Sequence, residues 1–167
     1  MIRDARPEDA PAIADIYNDA VRNLAAIWTD TLTDAAERAE WIVERQAAGF
    51  PVIVTERDGR VLGYASYGTF RAKDGYDLTV EHSVYVHSDA RGRGLGTPML
   101  EWVIEHARAA GKHVMIGAID GQNAGSIALH ARLGFETVGT LPQIGKKFGR
   151  WLDLTLMQLR LDDRPAP

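Results

Sequence analysis

The most regular pattern of apolar and polar residues runs from residue 81 to residue 107. Its first part, residues 82–87, is dominated by β-branched and aromatic side chains, which indicates a strand. In its last part apolar residues recur at i, i+3, i+4 and i+7, which predicts an amphipathic helix. These apolar residues are Leu100, Val103, Ile104 and Ala107. A glycine-rich run, residues 91–96, lies between the two parts, so the pattern predicts a strand, a glycine loop and a helix N-terminus in succession.

The other predicted elements follow from the same periodicities and from turn residues. In chain order they are a short edge strand at 2–5, a helix from Pro7, a helix from Thr33 to about Ala48, a hairpin of strands 51–56 and 61–68, a loop at 69–77, a strand at 113–119, a helix at 123–133, and strands at 135–141 and 150–161. Thr33 is predicted to cap its helix and Gly49 to end it. Asp58-Gly59 is a strong hairpin turn.

These elements predict an α+β fold in one domain. The strand–helix–strand unit around the glycine loop requires a right-handed parallel crossover, and the hairpins on either side make the sheet mixed. No internal repeat or linker is visible between residues 1 and 161. Residues 162–167 are charged and rich in proline, so we expect a disordered C-terminal tail.

Composition narrows the functional classes. The hydrophobic fraction of 46% and the charged fraction of 25% are ordinary for a globular domain, and a net charge of −4 argues against general nucleic-acid binding. No signal peptide or membrane-spanning run is present, so no membrane partner is expected and a cytoplasmic location is the default. The absence of cysteine excludes disulfides, thiolate metal sites and an acyl-cysteine intermediate.

The glycine run has the composition of a phosphate-binding loop, because backbone N–H groups at a helix N-terminus favour anions. It lacks the Gly-Lys-Ser/Thr of a P-loop, and Thr97 stands where the dinucleotide fingerprint needs glycine. It does satisfy Arg/Gln-x-x-Gly-x-Gly/Ala through Arg91, Gly94 and Gly96. On the residues alone, an ordinary glycine-rich turn remains the alternative. The pattern resembles the pyrophosphate-binding loop of the GNAT superfamily of N-acetyltransferases.

A second block strengthens this resemblance. Residues 123–135 contain Asn123-x-x-Ser126-x-x-Leu129-His130, followed by Leu133-Gly134-Phe135. This is similar to the superfamily's second signature, Asn-x-x-Ala/Ser-x-x-Leu-Tyr-x-x-x-Gly-Phe. His130 replaces the tyrosine that is proposed to protonate the leaving thiolate, so the identity of the acid is open.

Four further segments resemble the branch that acetylates phosphinothricin and methionine sulfoximine. They are residues 26–28, 63–68, 80–86 and 147–154. The resemblance implies a single-domain GNAT fold with a mostly antiparallel sheet, a central parallel strand pair and helices on both faces. It also implies a homodimer and acetyl-CoA as co-substrate. The expected reaction is direct attack by the α-amine of a small amino acid or analogue, in a ternary complex.

The resemblance also implies which residues form the site. Acetyl-CoA is expected to contact Val84, Tyr85, Val86, Arg91, Gly92, Arg93, Gly94, Leu95, Gly96, Asn123 and Ser126. The acceptor is expected to contact Trp28, Phe70, Arg71, Lys73, Val80, Glu81 and His82. For Trp28 and Phe70, ordinary core packing is the alternative. No histidine pair has the i, i+4 spacing of a helical metal site, so no metal is predicted.

Glu81 and His130 are the candidate catalytic residues. Glu81 shares a strand face with Ser83 and Tyr85, and it is the candidate base, with a solvated strand-end glutamate as the alternative. His130 either donates a proton to the thiolate or packs to close the pantetheine tunnel. Arg71 and Lys73 are either solvated loop cations or partners of a substrate carboxylate.

Two other functional classes remain open. One is a protein, peptide or polyamine N-acetyltransferase on the same fold. The other is an acetyl-CoA-binding module without catalysis, which should lack the base or the loop, whereas Glu81 and residues 91–96 are both present.

Overall fold

The computed structural model describes all residues from Met1 to Pro167. The elements in chain order are β1 (Ile2–Asp4), α1 (Ala10–Asn23), α2 (Ala35–Ala47), β2 (Val52–Arg57), β3 (Arg60–Thr69), β4 (Thr79–Val86), α3 (Gly96–Ala109), β5 (Val114–Asp120), α4 (Ala124–Arg132), β6 (Glu136–Lys147) and β7 (Arg150–Arg160). Short 3₁₀ turns cover Pro7–Asp9, Asp74–Tyr76 and Ser88–Ala90.

The seven strands form one mixed sheet in the order β1-β2-β3-β4-β5-β7-β6. The pair β4–β5 is parallel, with Thr79 opposite Val114 and Glu81 opposite Ile116. The pairs β1–β2, β2–β3, β5–β7 and β6–β7 are antiparallel. The α+β prediction with one parallel pair is therefore confirmed. No helix is long and apolar enough to cross a membrane.

Two compact units can be distinguished along the chain. The first contains residues 1–67 and 83–103, and the second contains residues 68–82 and 104–167. The prediction of one domain ending at residue 161 stays a prediction. In the predicted tail, Asp162 pairs with His113, and Arg164 donates to the carbonyl of Gly111.

The core of the first unit lies between the first two helices and the first strands. Its buried members are Ala5, Ala10, Ile13, Ile16, Ile42, Val52, Val54 and Tyr64. At roughly 25 cal/mol per Å² of apolar surface removed from water, such a cluster is the main favourable contribution to folding. The predicted apolar stripe of α3 is confirmed, because Leu100, Val103, Ile104 and Ala107 are all buried.

Local chemistry explains most element boundaries. Asp58 and Gly59 both have positive φ, 52° and 73°, as the predicted hairpin turn requires. Helix α2 ends before Gly49, which has φ of 80°. Its cap is Asp34 rather than the predicted Thr33, because the Asp34 carboxylate accepts from the N–H of Glu37 at 2.9 Å.

The sixth strand is longer than predicted. We expected it to end near Leu141. The strand instead continues to Lys147, since the pairing register shifts between Leu141 and Gly145 and Gln143 takes φ of 55°. The irregularity thus accommodates Pro142 without ending the strand, and pairing resumes with Gly145 opposite Leu152.

Candidate active site

The glycine loop links the 3₁₀ turn after β4 to α3. Gly92 and Gly94 have φ of 74° and 78°, a left-handed conformation that other residues adopt only at a cost. A Cβ at either position would meet no protein atom within 4 Å. The glycines are therefore required by backbone conformation, and the side of the loop they face is open. Gly96 is the first residue of α3, so the loop ends where unpaired helical N–H groups favour an anion.

Arg91, the first residue of the loop motif, forms an ion pair with Asp19 of α1. Asn23 donates to the same carboxylate from Nδ2 at 2.7 Å. Partial burial alone would raise the pKa of Asp19, but the hydrogen bonds from Asn23 and Arg91 outweigh it, and the pKa lies below its ordinary value. Asp19 is therefore an anion that fixes the Arg91 side chain.

Glu81 is the last residue of the parallel ladder between β4 and β5. Its side chain is half-buried, whereas its neighbours Val80 and His82 on the opposite strand face are buried. Burial raises the pKa of the Glu81 carboxyl, and the positive charge of Arg71 opposes that rise without cancelling it. A carboxylate with a raised pKa is suited to accept a proton from an ammonium group.

His82 and His130 form a buried pair. Their Nε2 atoms are 3.0 Å apart, although the residues are 48 positions apart in sequence. Nδ1 of His130 lies 2.7 Å from the backbone carbonyl oxygen of Ser126 and 3.4 Å from its hydroxyl. Nδ1 of His82 is buried and has no hydrogen-bond partner.

The pair is packed on two further sides. A Cβ at Gly117 of β5 would lie 3.1 Å from the His130 ring and 3.2 Å from Nε2 of His82. The ring of Phe135 meets both imidazoles edge-on, at centroid distances of 5.7 Å to His82 and 5.1 Å to His130. Burial lowers the pKa of His82 to about 3, and His130 acts in the same direction. Burial also lowers the pKa of His130, so both rings are neutral at pH 7.

The second signature forms the N-terminus of α4. Asn123 is the cap residue, and its Oδ1 accepts from the N–H of Ser126 at 3.0 Å. The cap uses one lone pair of the side-chain oxygen, and no hydrogen bond of Nδ2 is described, so the amide can donate to a ligand. Ser126 is partly exposed, and its carbonyl is the group that holds His130.

The predicted acceptor-binding residues differ in exposure. Arg71 and Lys73 are exposed, and the Arg71 guanidinium lies 5.1 Å from the centroid of the Phe70 ring. Phe70 in turn packs edge-on against Tyr76 at 5.8 Å. Trp28 is partly buried and donates from Nε1 to the carbonyl of Ala25.

Two of the predicted acceptor-binding side chains are almost completely buried. Val80 is 1% exposed and His82 is 9% exposed. Their side chains point into the protein interior, so a substrate would reach the backbone at these positions before the side chains.

Sequence reasoning missed three features of the site. They are the ion pair of Asp19 with Arg91, the contact between His82 and His130, and the space that Gly117 leaves for the two rings. A glycine inside a strand does indicate close approach of another group, so Gly117 was the one available indication of the histidine pair. No group of three or more His, Cys, Asp or Glu side chains is arranged to hold a metal ion.

Comparison with known proteins identifies the family of this chain. The model of the "Acetyltransferase (GNAT) family" matches residues 13–135. The chain is 56% identical to the L-methionine sulfoximine/L-methionine sulfone acetyltransferase of Pseudomonas aeruginosa, covering 99% of this chain and 98% of that protein. It is 38% identical to the phosphinothricin N-acetyltransferase of Alcaligenes faecalis, covering 96% and 82% of the two chains.

A solved structure of an acetyltransferase from Salmonella typhimurium, determined with its cofactor acetyl-CoA, resembles this one with a TM-score of 0.98. The two sequences are 53% identical, and the match covers 100% of this chain and 96% of that one. The predicted resemblance to the phosphinothricin and methionine sulfoximine branch is confirmed, as are the acyltransferase class and acetyl-CoA as co-substrate. The chain belongs to the GNAT family of acetyltransferases.

Proposed function

We propose that this acetyltransferase transfers acetyl from acetyl-CoA to the α-amine of a small zwitterionic amino acid or analogue. Methionine sulfoximine and methionine sulfone are the preferred members of this class, and phosphinothricin is a weaker one. One observation supports this reaction type: Glu81 lies half-buried at the end of the parallel ladder, and burial raises the pKa of its carboxyl. The relatives support the acceptor, because identity is 56% to the sulfoximine/sulfone enzyme and 38% to the phosphinothricin enzyme.

The chemistry requires a neutral amine, and an α-ammonium group is charged at pH 7. In the proposal Glu81 removes that proton through a water molecule. The amine nitrogen then forms a bond to the thioester carbonyl carbon, and the C–S bond breaks. The nitrogen loses its second proton as the amide forms, and the departing CoA thiolate takes up one proton, so each turnover releases one net proton, the one accepted by Glu81.

The proposed cofactor-binding residues lie in three segments: the end of β4, the glycine loop and the N-terminus of α4. We propose that the loop from Arg91 to Gly96 binds the diphosphate through backbone N–H groups, as its left-handed glycines and helix N-terminus allow. Residues 84–86 of β4 are proposed to contact the pantetheine arm through their backbone. Asn123 and Ser126 are proposed to contact the cofactor from the N-terminus of α4.

The acceptor carboxylate is proposed to bind the exposed cations of the loop before β4. The positive charge of Arg71 lowers the pKa of the Glu81 carboxyl, which supports the choice of Arg71 for this role. Arginine can bind a carboxylate through two parallel N–H donors, which would also orient the α-amine. Phe70 and Trp28 would supply apolar walls for the side chain.

A thiol-release assay with a substrate panel tests this proposal. Purified enzyme and acetyl-CoA are combined with methionine sulfoximine, methionine sulfone, phosphinothricin, spermidine and an alanine-initiated peptide, and mass spectrometry identifies the acetylated atom. We expect the highest kcat/KM for the first two compounds. Faster turnover of the peptide or of spermidine would instead support the alternative class.

We also propose that the enzyme forms a homodimer through the β6–β7 hairpin and works in the cytoplasm, where acetyl-CoA is available. The hairpin carries exposed large apolar side chains: Val138, Leu141, Ile144, Phe148 and Trp151. Trp151 is 64% exposed, and β6 is exposed along almost its whole length. An exposed apolar edge strand of this length invites pairing with another chain.

Light scattering after gel filtration tests the dimer. Trp151→Glu combined with Phe148→Asp should convert a dimer into a monomer. Val43→Asp is the matched control, because Val43 is 54% exposed but lies on α2. A wild-type monomer at micromolar concentration would contradict the proposal.

A further inference from the structure

The hydrogen bonds of the His82–His130 pair determine where its protons lie. A backbone carbonyl can only accept, so the 2.7 Å contact from Nδ1 of His130 to the Ser126 oxygen requires a hydrogen on Nδ1. The Ser126 hydroxyl, at 3.4 Å, is too distant to reverse this assignment. A neutral His130 therefore has a bare Nε2, which can only accept.

His82 must then supply the hydrogen between the two rings. Its Nε2 lies 3.0 Å from Nε2 of His130 and acts as the donor. Neutral His82 consequently has a bare Nδ1, and that atom is the one buried side-chain polar atom without a partner. The chain of donation runs in one direction, from His82 to His130 to the carbonyl of Ser126.

This arrangement leaves His130 with no proton to give. The Nδ1 hydrogen is engaged by the carbonyl, and Nε2 is occupied by the His82 donor. A departing thiolate that takes its proton from His130 would first require both imidazoles to change tautomer. Protonating the pair is also opposed by burial, since the charged form loses its hydration.

The pair connects two parts of the proposed site. His82 follows Glu81 on β4, so anchoring His82 fixes the backbone that carries the proposed base. Ser126 is in the first turn of α4, next to the cap residue Asn123 that is proposed to contact the cofactor. Gly117 leaves room for the two rings to meet, because a Cβ there would lie 3.1 Å from His130. A glycine inside a strand has an entropic cost, which is offset here by this close approach.

We propose that His82 is a positioning residue of the transfer reaction: its Nε2–H holds His130 as the neutral Nδ1–H tautomer, fixes the first turn of α4, and excludes His130 as the proton donor to the thiolate. The positioning role rests on the proposed function, whereas the tautomer assignment does not. The thiolate then takes its proton from water, which is adequate because a thiol has a pKa of about 8.5.

Nitrogen-15 NMR of the histidine side chains tests the tautomers in the enzyme without substrates. Long-range correlations distinguish protonated from bare imidazole nitrogens, and single His→Gln variants assign the signals. At pH 7.5 we expect Nδ1–H for His130 and Nε2–H for His82. Protonation of His130 at Nε2, alone or together with Nδ1, would overturn the proposal. This result is independent of any acceptor, so it stands apart from a failure of the substrate panel.

Three variants test the positioning role. His82→Leu fills a similar volume without a donor, His82→Gln retains an N–H donor, and His113→Gln removes a half-exposed histidine whose partner is Asp162. We expect His82→Leu to weaken acetyl-CoA binding and lower kcat by roughly tenfold each, the size of effect that misplacement of a reacting group produces. His82→Gln should recover most of both losses, and His113→Gln should change neither.

Two kinetic outcomes would overturn the positioning role. The first is a His82→Leu enzyme with wild-type calorimetric affinity for acetyl-CoA and wild-type kcat. The second is equal loss in the Leu and Gln variants at equal melting temperature, which would indicate that volume rather than the hydrogen bond matters. If the Leu variant does not fold, His82→Met, which also lacks an N–H donor, replaces it in the same comparison.

Discussion

Arg91, the first residue of the glycine-loop motif, is ion-paired with Asp19 of the first helix. The arginine of this motif is therefore held by a carboxylate of its own chain, 72 residues earlier in the sequence. Both side chains are about one-third exposed or less, so the pair is only partly screened by water. The pair holds the start of the loop in place, and the backbone N–H groups further along are the proposed donors to the diphosphate.

Removing the charge of Asp19 should loosen the loop. For Asp19→Asn we expect acetyl-CoA affinity to fall by roughly three- to tenfold, corresponding to about 1 kcal/mol for a partly exposed ion pair. Asp15→Asn, on an exposed position of the same helix, should leave affinity unchanged. Isothermal titration calorimetry measures both. Tighter binding in Asp19→Asn would mean that Asp19 competes with the diphosphate for Arg91.

A side chain at Gly94 should abolish cofactor binding with only a modest loss of stability. Gly94→Ala places a Cβ on the open side of the loop, in a conformation that costs a non-glycine residue about 1–2 kcal/mol. Gly111→Ala is a matched control, because Gly111 has φ of 71° and also has open space around its Cβ position. Both variants should lose similar stability in urea denaturation, and only Gly94→Ala should lose acetyl-CoA binding.

The sequence predicted those features that depend on near neighbours in the chain. The hairpin at Asp58-Gly59 formed as expected because two left-handed residues define that turn locally. The buried stripe of α3 followed from its 3.6-residue period. The same logic failed at β6, where the effect of Pro142 and Gly145 depends on a bulge opposite β7 that no local pattern encodes.

Contacts between distant residues could not be predicted in this way. The two signature blocks indicated the glycine loop and His130 as residues of interest. Neither block indicated that His82 would meet His130, since the pairing depends on how β4, β5 and α4 pack. The two roles left open for His130 could therefore be weighed only when its hydrogen-bond partners were known.

Glu81 should control the acidic limb of the pH–rate profile. Glu81→Gln should lower kcat/KM by roughly 10²–10⁴ if the carboxylate is the main proton acceptor. Because burial raises the pKa of Glu81, the limb in the wild-type enzyme should lie above the ordinary glutamate value of about 4.3. Arg71→Ala should move the acidic limb to still higher pH, since the positive charge of Arg71 lowers the pKa of Glu81.

The control is Glu101→Gln, on an exposed position of α3, which should leave the rate and the profile unchanged. If Glu81→Gln keeps the wild-type rate and the wild-type acidic limb, the acceptor ammonium loses its proton to bulk water and not to Glu81.

The histidine pair should make folding stability depend on pH. The pKa of His82 is lowered to about 3 and that of His130 is also lowered, so the unfolded chain binds more protons once the pH falls below about 6.5. The contribution of the pair is fully present above that pH and is lost progressively between pH 6.5 and 3. Urea denaturation at pH 7.5 and pH 5 measures the loss.

A comparison of variants isolates this effect from other groups. The raised pKa of Glu81 acts in the opposite direction, because protonating Glu81 favours the folded state, but it is common to all variants that retain Glu81. His82→Gln should therefore show a shallower loss of stability on acidification than the wild type, by up to about 1.4 kcal/mol per pH unit. Parallel losses in both proteins would show that His82 is charged in the folded state.

Arg71 should bind the carboxylate of the acceptor. A hydrogen bond to a charged group contributes about 1.5–3 kcal/mol, so Arg71→Ala and methyl esterification of methionine sulfoximine should each lower kcat/KM by roughly ten- to a hundredfold. Combined, they should cost much less than the product of the separate losses, because both remove the same contact. Arg57→Ala, an exposed arginine with 78% side-chain exposure, should show no such coupling. Fully multiplicative losses would mean that the carboxylate binds elsewhere, with Lys73 as the next residue to test.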